Sequence, residues 1–334
     1  MDSAIIWEWV IKSIVVILVM TAGFAYVTLY ERRVLARMQV RIGPNRVGWQ
    51  GLLQPVADGV KLIFKEDLIP ANADKLIFVL APVITVIPAL IITAVIPWGT
   101  EVNLFGRVVA LHLADINVGV LFILSVTSIS VYGITLAGWS SNNKYAMLGG
   151  MRATAQMISY ELALGMSFVG PMLWAGSMKL SDIVLAQKDV WFIVYMPLGF
   201  IIYVIASMAE INRAPFDMPE AEQELTAGYH TEYSSMKFAL FFMAEYIKMI
   251  GISMIGATLF LGGYRGPFID IYPALGPLYL FIKVAIWLFF LIWVRATLPR
   301  FRYDKLMAFG WKILLPLSLL YIVITAVLVL VVGG

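Results

Sequence analysis

Residues 76–96 read Leu76-Ile77-Phe78-Val79-Leu80-Ala81-Pro82-Val83-Ile84-Thr85-Val86-Ile87-Pro88-Ala89-Leu90-Ile91-Ile92-Thr93-Ala94-Val95-Ile96, a stretch of 21 residues without a charge. A helix needs about 20 apolar residues to cross the hydrocarbon core of a bilayer. Similar runs recur along the chain, and their spacing predicts eight membrane-spanning helices near 5–29, 76–96, 117–138, 157–176, 191–210, 236–262, 275–294 and 311–332. The expected fold is all-α: one polytopic membrane domain over 1–334, with a short interfacial helix after the first span. Composition agrees, since 61% of the 334 residues are apolar and 13% charged, against roughly 25% charged in an ordinary soluble domain. The first run is not read as a cleaved leader: it lacks a basic start and ends in Tyr30-Glu31-Arg32-Arg33 instead of small residues.

Basic residues set the expected orientation. Of 24 Lys and Arg, 17 fall in the odd-numbered loops, four in the even-numbered loops and three (Lys12, Lys248, Lys283) inside spans. The excess of positive charge on the cytoplasmic side of membrane proteins places the odd loops there, with both termini on the outer side of the cell membrane. Cysteine is absent, so disulfides, iron–sulfur clusters and thiolate zinc sites are not expected in this chain. His112 and His230 lie too far apart for a haem pair at helical spacing. Phosphate loops, dinucleotide fingerprints and metal-ligand spacings are missing. The basic residues are juxtamembrane, which excludes nucleic acid as a partner.

Three odd-loop segments stand out. The first, 30–75, holds the turn signal Arg41-Ile42-Gly43-Pro44-Asn45-Arg46. It then has a stretch from Gln54 to Leu68 with Val56, Val60 and Ile63 on one side, suited to a helix lying in the interface. The second is 210–235, and between 211 and 237 Asp217, Glu220, Glu222, Glu224 and Glu232 stand against Arg213 and Lys237. Pro215 and Pro219 forbid a continuous helix there, and clustered carboxylates raise one another's pKa values enough to share a proton. A solvated acidic loop docking on a basic partner is the other reading. The third, Arg295 to Asp304, carries Arg295, Arg300 and Arg302 among aromatic neighbours. These could recognise an anionic or carbonyl head group or form the ordinary basic end of a helix.

Ionisable residues inside spans are costly in lipid and so are functional candidates. Glu161, Glu210, Glu245, Lys248 and Lys283 are such residues. Glu245 and Lys248, one turn apart, could neutralise each other, whereas Glu161 and Glu210 have no basic neighbour in sequence. Carboxylates on three spans together with an acidic loop have the pattern of a proton relay.

Several stretches carry a specific resemblance: Tyr30-Glu31-Arg32-Arg33, Arg41 to Arg46, Gly51-Leu52-Leu53-Gln54-Pro55-Val56-Ala57-Asp58, Gly138 to Tyr145, Ser159-Tyr160-Glu161, Glu210 to Leu225 and Trp293 to Tyr303. In this order and spacing the chain resembles the H-type subunit of proton-pumping NADH–quinone oxidoreductase, the mitochondrial NADH dehydrogenase subunit 1, over nearly its whole length. The resemblance implies a membrane-arm subunit forming much of the quinone chamber. Flavin and iron–sulfur clusters would sit in partner subunits, and this chain would bind no redox cofactor alone. It implies a quinone-binding set of Arg32, Arg41, Phe242, Arg295 and Arg300. It also implies a proton relay through Glu161, Glu210, Asp217, Glu220, Glu222, Glu224 and Glu245. Partners would be other membrane and peripheral subunits, quinone and lipid. Related subunits serve membrane-bound hydrogenases and complexes with other electron donors. Two rivals of other classes are a proton-coupled transporter, disfavoured by the lack of inverted repeats, and a structural anchor, which has no use for carboxylates on three spans.

Overall fold

A computed structural model describes residues 3–104, 107–218 and 227–332. The chain folds into α1 (Ser3–Met38), α2 (Gln54–Phe64), α3 (Lys75–Ile92), α4 (Gly119–Ser140), α5 (Lys144–Ala175), α6 (Leu180–Ala186), α7 (Phe192–Tyr195) and α8 (Pro197–Glu210), and then α9 (Ser235–Phe260), α10 (Gly276–Thr297), α11 (Tyr303–Phe309) and α12 (Leu315–Val332). A single π-helical turn, Gly310–Leu314, joins the last two.

Among the described residues, six helical stretches are long and apolar enough to cross a membrane: Ile6–Met38, Lys75–Ile92, Gly119–Ser140, Ser235–Phe260, Pro273–Thr297 and Tyr303–Val331. The protein is thus a multi-pass, mostly helical membrane protein. The helices at the expected spans 157–176 and 191–210 fall outside this set of six. α5 is 32 residues long but carries Arg152, Gln156, Ser159 and Glu161 in its first two-thirds. α8 has 14 residues because the chain leaves helical geometry at Met196 (φ −130°, ψ 55°) and restarts with Pro197, whose ring favours a first-turn position.

Two further departures have local causes. The expectation of an all-α chain misses a hairpin in which β1 (Glu101–Leu104) pairs antiparallel with β2 (Arg107–Ala110), Val102 opposite Val109. The four-residue strands are too short to show a period-two pattern. α1 also continues nine residues past the expected end at 29, so Tyr30-Glu31-Arg32-Arg33 is helical and not loop. α2 forms as an amphipathic helix with no buried residue, its Val56, Val60 and Ile63 exposed, as an interfacial helix requires.

The core is aromatic-rich, with Tyr160, Tyr203, Phe168, Phe192 and Phe260 fully buried. Close helix contact relies on small residues, as membrane bundles generally do. A Cβ added at Gly133 of α4 would lie 2.2 Å from Thr85 Oγ1 of α3 and 3.0 Å from the Ala81 carbonyl. At Gly149 of α5 it would lie 2.7 Å from Gly228 Cα. These contacts press α3, α4, α5 and the 227–234 turn together around the polar interior.

Candidate functional site: a buried ion-pair network

α8 ends at Glu210, and the chain turns through Asn212, whose φ of 58° is a left-handed conformation that asparagine tolerates. The turn delivers Arg213 into the interior, 8% exposed. Its Nη1 donates to Glu31 Oε2 of α1 at 2.5 Å, and its Nε donates to Glu245 of α9. Its guanidinium lies 4.2 Å from the centre of the Tyr246 ring, within cation–π range. Glu31 accepts a second hydrogen bond from Arg295 of α10. The result is a row of alternating charge, Arg295–Glu31–Arg213–Glu245, that ties four segments together. Burial opposes the charge on Arg213, but Glu245 and Glu31 on either side hold its pKa above the ordinary guanidinium range.

A second row begins three residues earlier. Glu210 is fully buried, and its Oε1 accepts from Lys248 Nζ of α9 at 2.7 Å. The same ammonium donates to Ser130 Oγ of α4 at 3.3 Å. Glu210 Oε2 is buried and has no hydrogen-bond partner among the described residues. The sequence-based pairing of Glu245 with Lys248 is therefore corrected: each reaches a different partner, and Glu210 has a base. Neighbours one turn apart can pair on an isolated helix. Inside a bundle, a fully buried carboxylate across the helix interface claims the ammonium, because an unpaired charge there is far costlier.

The two rows meet at a cavity of about 30 Å³ where Thr85, Ser130, Glu210, Asn212, Glu245 and Lys248 face the apolar side chains of Ile134, Ile211, Phe241 and Ala244. About 10–15 Å³ suffices for one water, so the space has room for two or so. Glu161 of α5 lies half-buried and accepts from Ser128 and, at 3.4 Å, from Thr127, both on α4. It is bonded to hydroxyls, in contrast to the two ion-paired rows.

Asp217 accepts from Arg300 Nη2 at 2.6 Å, and its Oδ1 is buried with no partner among the described residues. The Phe301 amide donates to the Pro215 carbonyl at 3.0 Å, and its ring stacks on Phe216 at 5.7 Å. The segment after α10, which Pro299 ends, is thereby clasped to the segment after α8. His230, close enough to feel Asp217, is kept neutral: burial pushes its pKa down to about 4, against the opposing pull of that carboxylate.

Of the expected quinone set, Arg295 and Arg300 join these networks. Arg32 instead pairs with Asp58 of α2 at 2.6 Å, fixing the interfacial helix to α1. Phe242 is half-buried in an aromatic row on α9, its ring centre 4.7 Å from that of Phe238 and 6.4 Å from that of Tyr246. Arg41 is exposed beyond the end of α1. Of the expected relay, Glu210 and Glu245 share the cavity, with Glu161 on the adjoining α4–α5 face and Asp217 at the clasp. Glu220, Glu222 and Glu224 lie outside the described residues. Glu31 and Arg213 were not singled out for a role, and their burial on a prolonged α1 and a tight turn was the missing signal. Among the described residues there is no group of three or more His, Cys, Asp or Glu that could hold a metal.

The family model described as NADH dehydrogenase matches residues 11–326. The H-type subunit of the NADH-quinone oxidoreductase of Protochlamydia amoebophila is 53% identical over 307 residues, 92% of this chain and 93% of that protein. The H-type subunit of Thermomicrobium roseum is 52% identical over 333 residues, covering 96% of each chain. An H-type subunit of Geobacter metallireducens is 54% identical over 301 residues, 90% of each.

Proposed function

The chain belongs to the NADH dehydrogenase family, and from that premise we propose that it is the membrane subunit that couples quinone reduction to proton translocation. As a subunit of an NADH–quinone oxidoreductase it works with other membrane and peripheral subunits, which carry the flavin and the iron–sulfur clusters. Eight helices cross the cell membrane, α5 and α8 among them, with the 30–75, 211–237 and 295–312 segments on the cytoplasmic side and both termini outside. Quinone enters beside α1, α2 and the 295–302 segment, near Arg32, Arg41, Phe242, Arg295 and Arg300. There it takes two electrons from a partner's cluster and two protons to become quinol. The change in charge is felt first at Arg295–Glu31 and Arg300–Asp217 and passes inward through Arg213 and Glu245 to Glu210 and Glu161. Glu220, Glu222 and Glu224 extend the acidic end of the route.

The observation that supports this reading is the convergence of Glu210, Glu245 and Lys248 on one small cavity. Lipid does not tolerate such residues without a use. The test is Glu161→Gln and Glu210→Gln in the assembled complex. Quinone reduction and proton translocation should fall together, while electron transfer from NADH to an artificial acceptor at the flavin is kept. Native turnover and pumping in both variants would refute the coupling role.

A further inference from the structure

Gln156 lies on α5 one turn before Tyr160 and is fully buried. Its Nε2 donates to the Phe216 carbonyl at 2.7 Å and the Ala209 carbonyl at 2.8 Å, with Asn212 Oδ1 at 3.1 Å. All three neighbours are acceptors, which fixes the amide orientation: turned over, its oxygen would face two carbonyl oxygens. An amide nitrogen has two hydrogens, and the two shorter bonds go to backbone. Ala209 O belongs to the last turn of α8 and also accepts from the Asn212 amide at 3.3 Å. Phe216 lies at the far end of the turn. One side chain on another helix thus closes the 209–216 turn across its mouth and fastens it to α5.

Between the two fastened carbonyls sit Glu210, which holds Lys248, and Arg213, which holds Glu31 and Glu245. Gln156 touches none of these groups, yet the backbone that aims both networks hangs from it. Its own Oε1 is buried with no partner among the described residues. A buried acceptor left without a donor is a standing cost. Simple packing of α5 would be served better by leucine or methionine, so the cost is carried for the sake of the amide nitrogen. We propose that Gln156 is a positioning residue, setting the register of the Glu210–Asp217 segment against α5 so that both ion-pair networks form; this rests on the segment's coupling role proposed above.

The test uses Gln156→Met and Gln156→Glu in the assembled complex, with artificial-acceptor activity as the reference for assembly. Methionine keeps the volume and removes the donor. Amide hydrogen exchange over 209–217 should rise about tenfold or more. Quinone reduction should fall about tenfold or more, as misplacement of a reacting group by roughly 1 Å can cost up to a hundredfold. Glutamate reports on the donor within one folded protein. Its protonated carboxyl can donate to one of the two carbonyls, and its ionised form can donate to neither. Turnover of Gln156→Glu should therefore be retained in part at the acid end and lost as pH rises, a limb absent from the native profile because the amide does not titrate. If Gln156→Met fails to assemble, that pH limb decides alone. Unchanged exchange and turnover in the methionine variant, or a glutamate variant whose pH profile matches the native one, would overturn the proposal. A segment that exchanges faster while quinone reduction and pumping stay native would support Gln156 as the residue that holds the segment and refute the coupling reading. Lost turnover with native exchange over 209–217 would overturn the positioning role and leave the coupling reading standing.

Discussion

Replacing Arg213 with glutamine removes the cation shared by Glu31 and Glu245. Arg213 and Glu31 are almost completely buried, with side-chain exposures of 9% and 5%. Breaking a buried pair by deleting one partner costs about 3–5 kcal/mol, mainly because the other charge is left uncompensated. Glu31 keeps Arg295, so the larger share of the loss falls on Glu245. The contact of Arg213 with the Tyr246 ring adds about 1–2 kcal/mol in a desolvated site. A loss of about 4–7 kcal/mol is therefore expected for Arg213→Gln, seen as a lower thermal midpoint of the assembled complex on native gels and as lost quinone reduction. Arg213→Lys should be intermediate, since an ammonium keeps the charge but cannot present a planar fork to carboxylates on two helices. The decisive measurement is a double-mutant cycle with Glu245→Gln, which removes the stranded charge and should return about 1–3 kcal/mol. If Arg213→Gln assembles with native thermal stability, or if the two changes are additive, the buried row does not hold these segments together.

Two other outcomes follow from the geometry. Arg295→Ala should leave Glu31 with Arg213 alone and lower quinone reduction while sparing the artificial-acceptor reaction, and Arg300→Ala, which removes the partner of Asp217, should do the same; equal loss of both activities in either variant would reduce these arginines to assembly contacts. Because the chain has no cysteine, single cysteines can report topology: Asn72→Cys and Lys188→Cys should label from opposite faces of the membrane, and labelling from the same face would mean that α5 and α8 do not cross and that six spans, not eight, are present.

The legibility of the chain differs between its parts for physical reasons. α3, α4, α9, α10 and α12 could be read because lipid demands long unbroken apolar runs, and few other environments produce them. α5 and α8 are harder because a helix shielded by its neighbours can carry polar groups and can break at Met196–Pro197 without exposing its backbone to lipid. Glu210, Glu245 and Glu161 were recognisable as candidates from their cost alone. Their partners were not, since Lys248 is 38 positions from Glu210 and Glu31 is 182 from Arg213. Gln156 was invisible for a different reason: a neutral amide in an otherwise helical stretch has no compositional signature, and its role depends wholly on which carbonyls the fold brings to it.

The two kinds of carboxylate setting bear differently on proton transfer. Glu31, Glu210 and Glu245 each face a fixed cation. Protonating any of them strands a buried ammonium or guanidinium, so a proton can rest there only if the cation finds another partner. Arg213 is built for such an exchange, since it already touches two carboxylates and can lean on Glu31 when Glu245 is neutral. Lys248 has a weaker fallback in Ser130 Oγ, 3.3 Å away, and a hydroxyl cannot replace a carboxylate as a counter-charge. Glu161 is free of this constraint, because Ser128 and Thr127 can donate to a carboxylate or accept from a carboxylic acid by rotating their hydroxyl hydrogens. A glutamine at 161 can still accept from both hydroxyls, whereas a glutamine at 210 leaves Lys248 without its counter-ion. Loss of pumping in Glu161→Gln therefore reports on titration itself, and loss in Glu210→Gln mixes titration with a broken ion pair. Adding Lys248→Met to Glu210→Gln removes the stranded charge and separates the two contributions.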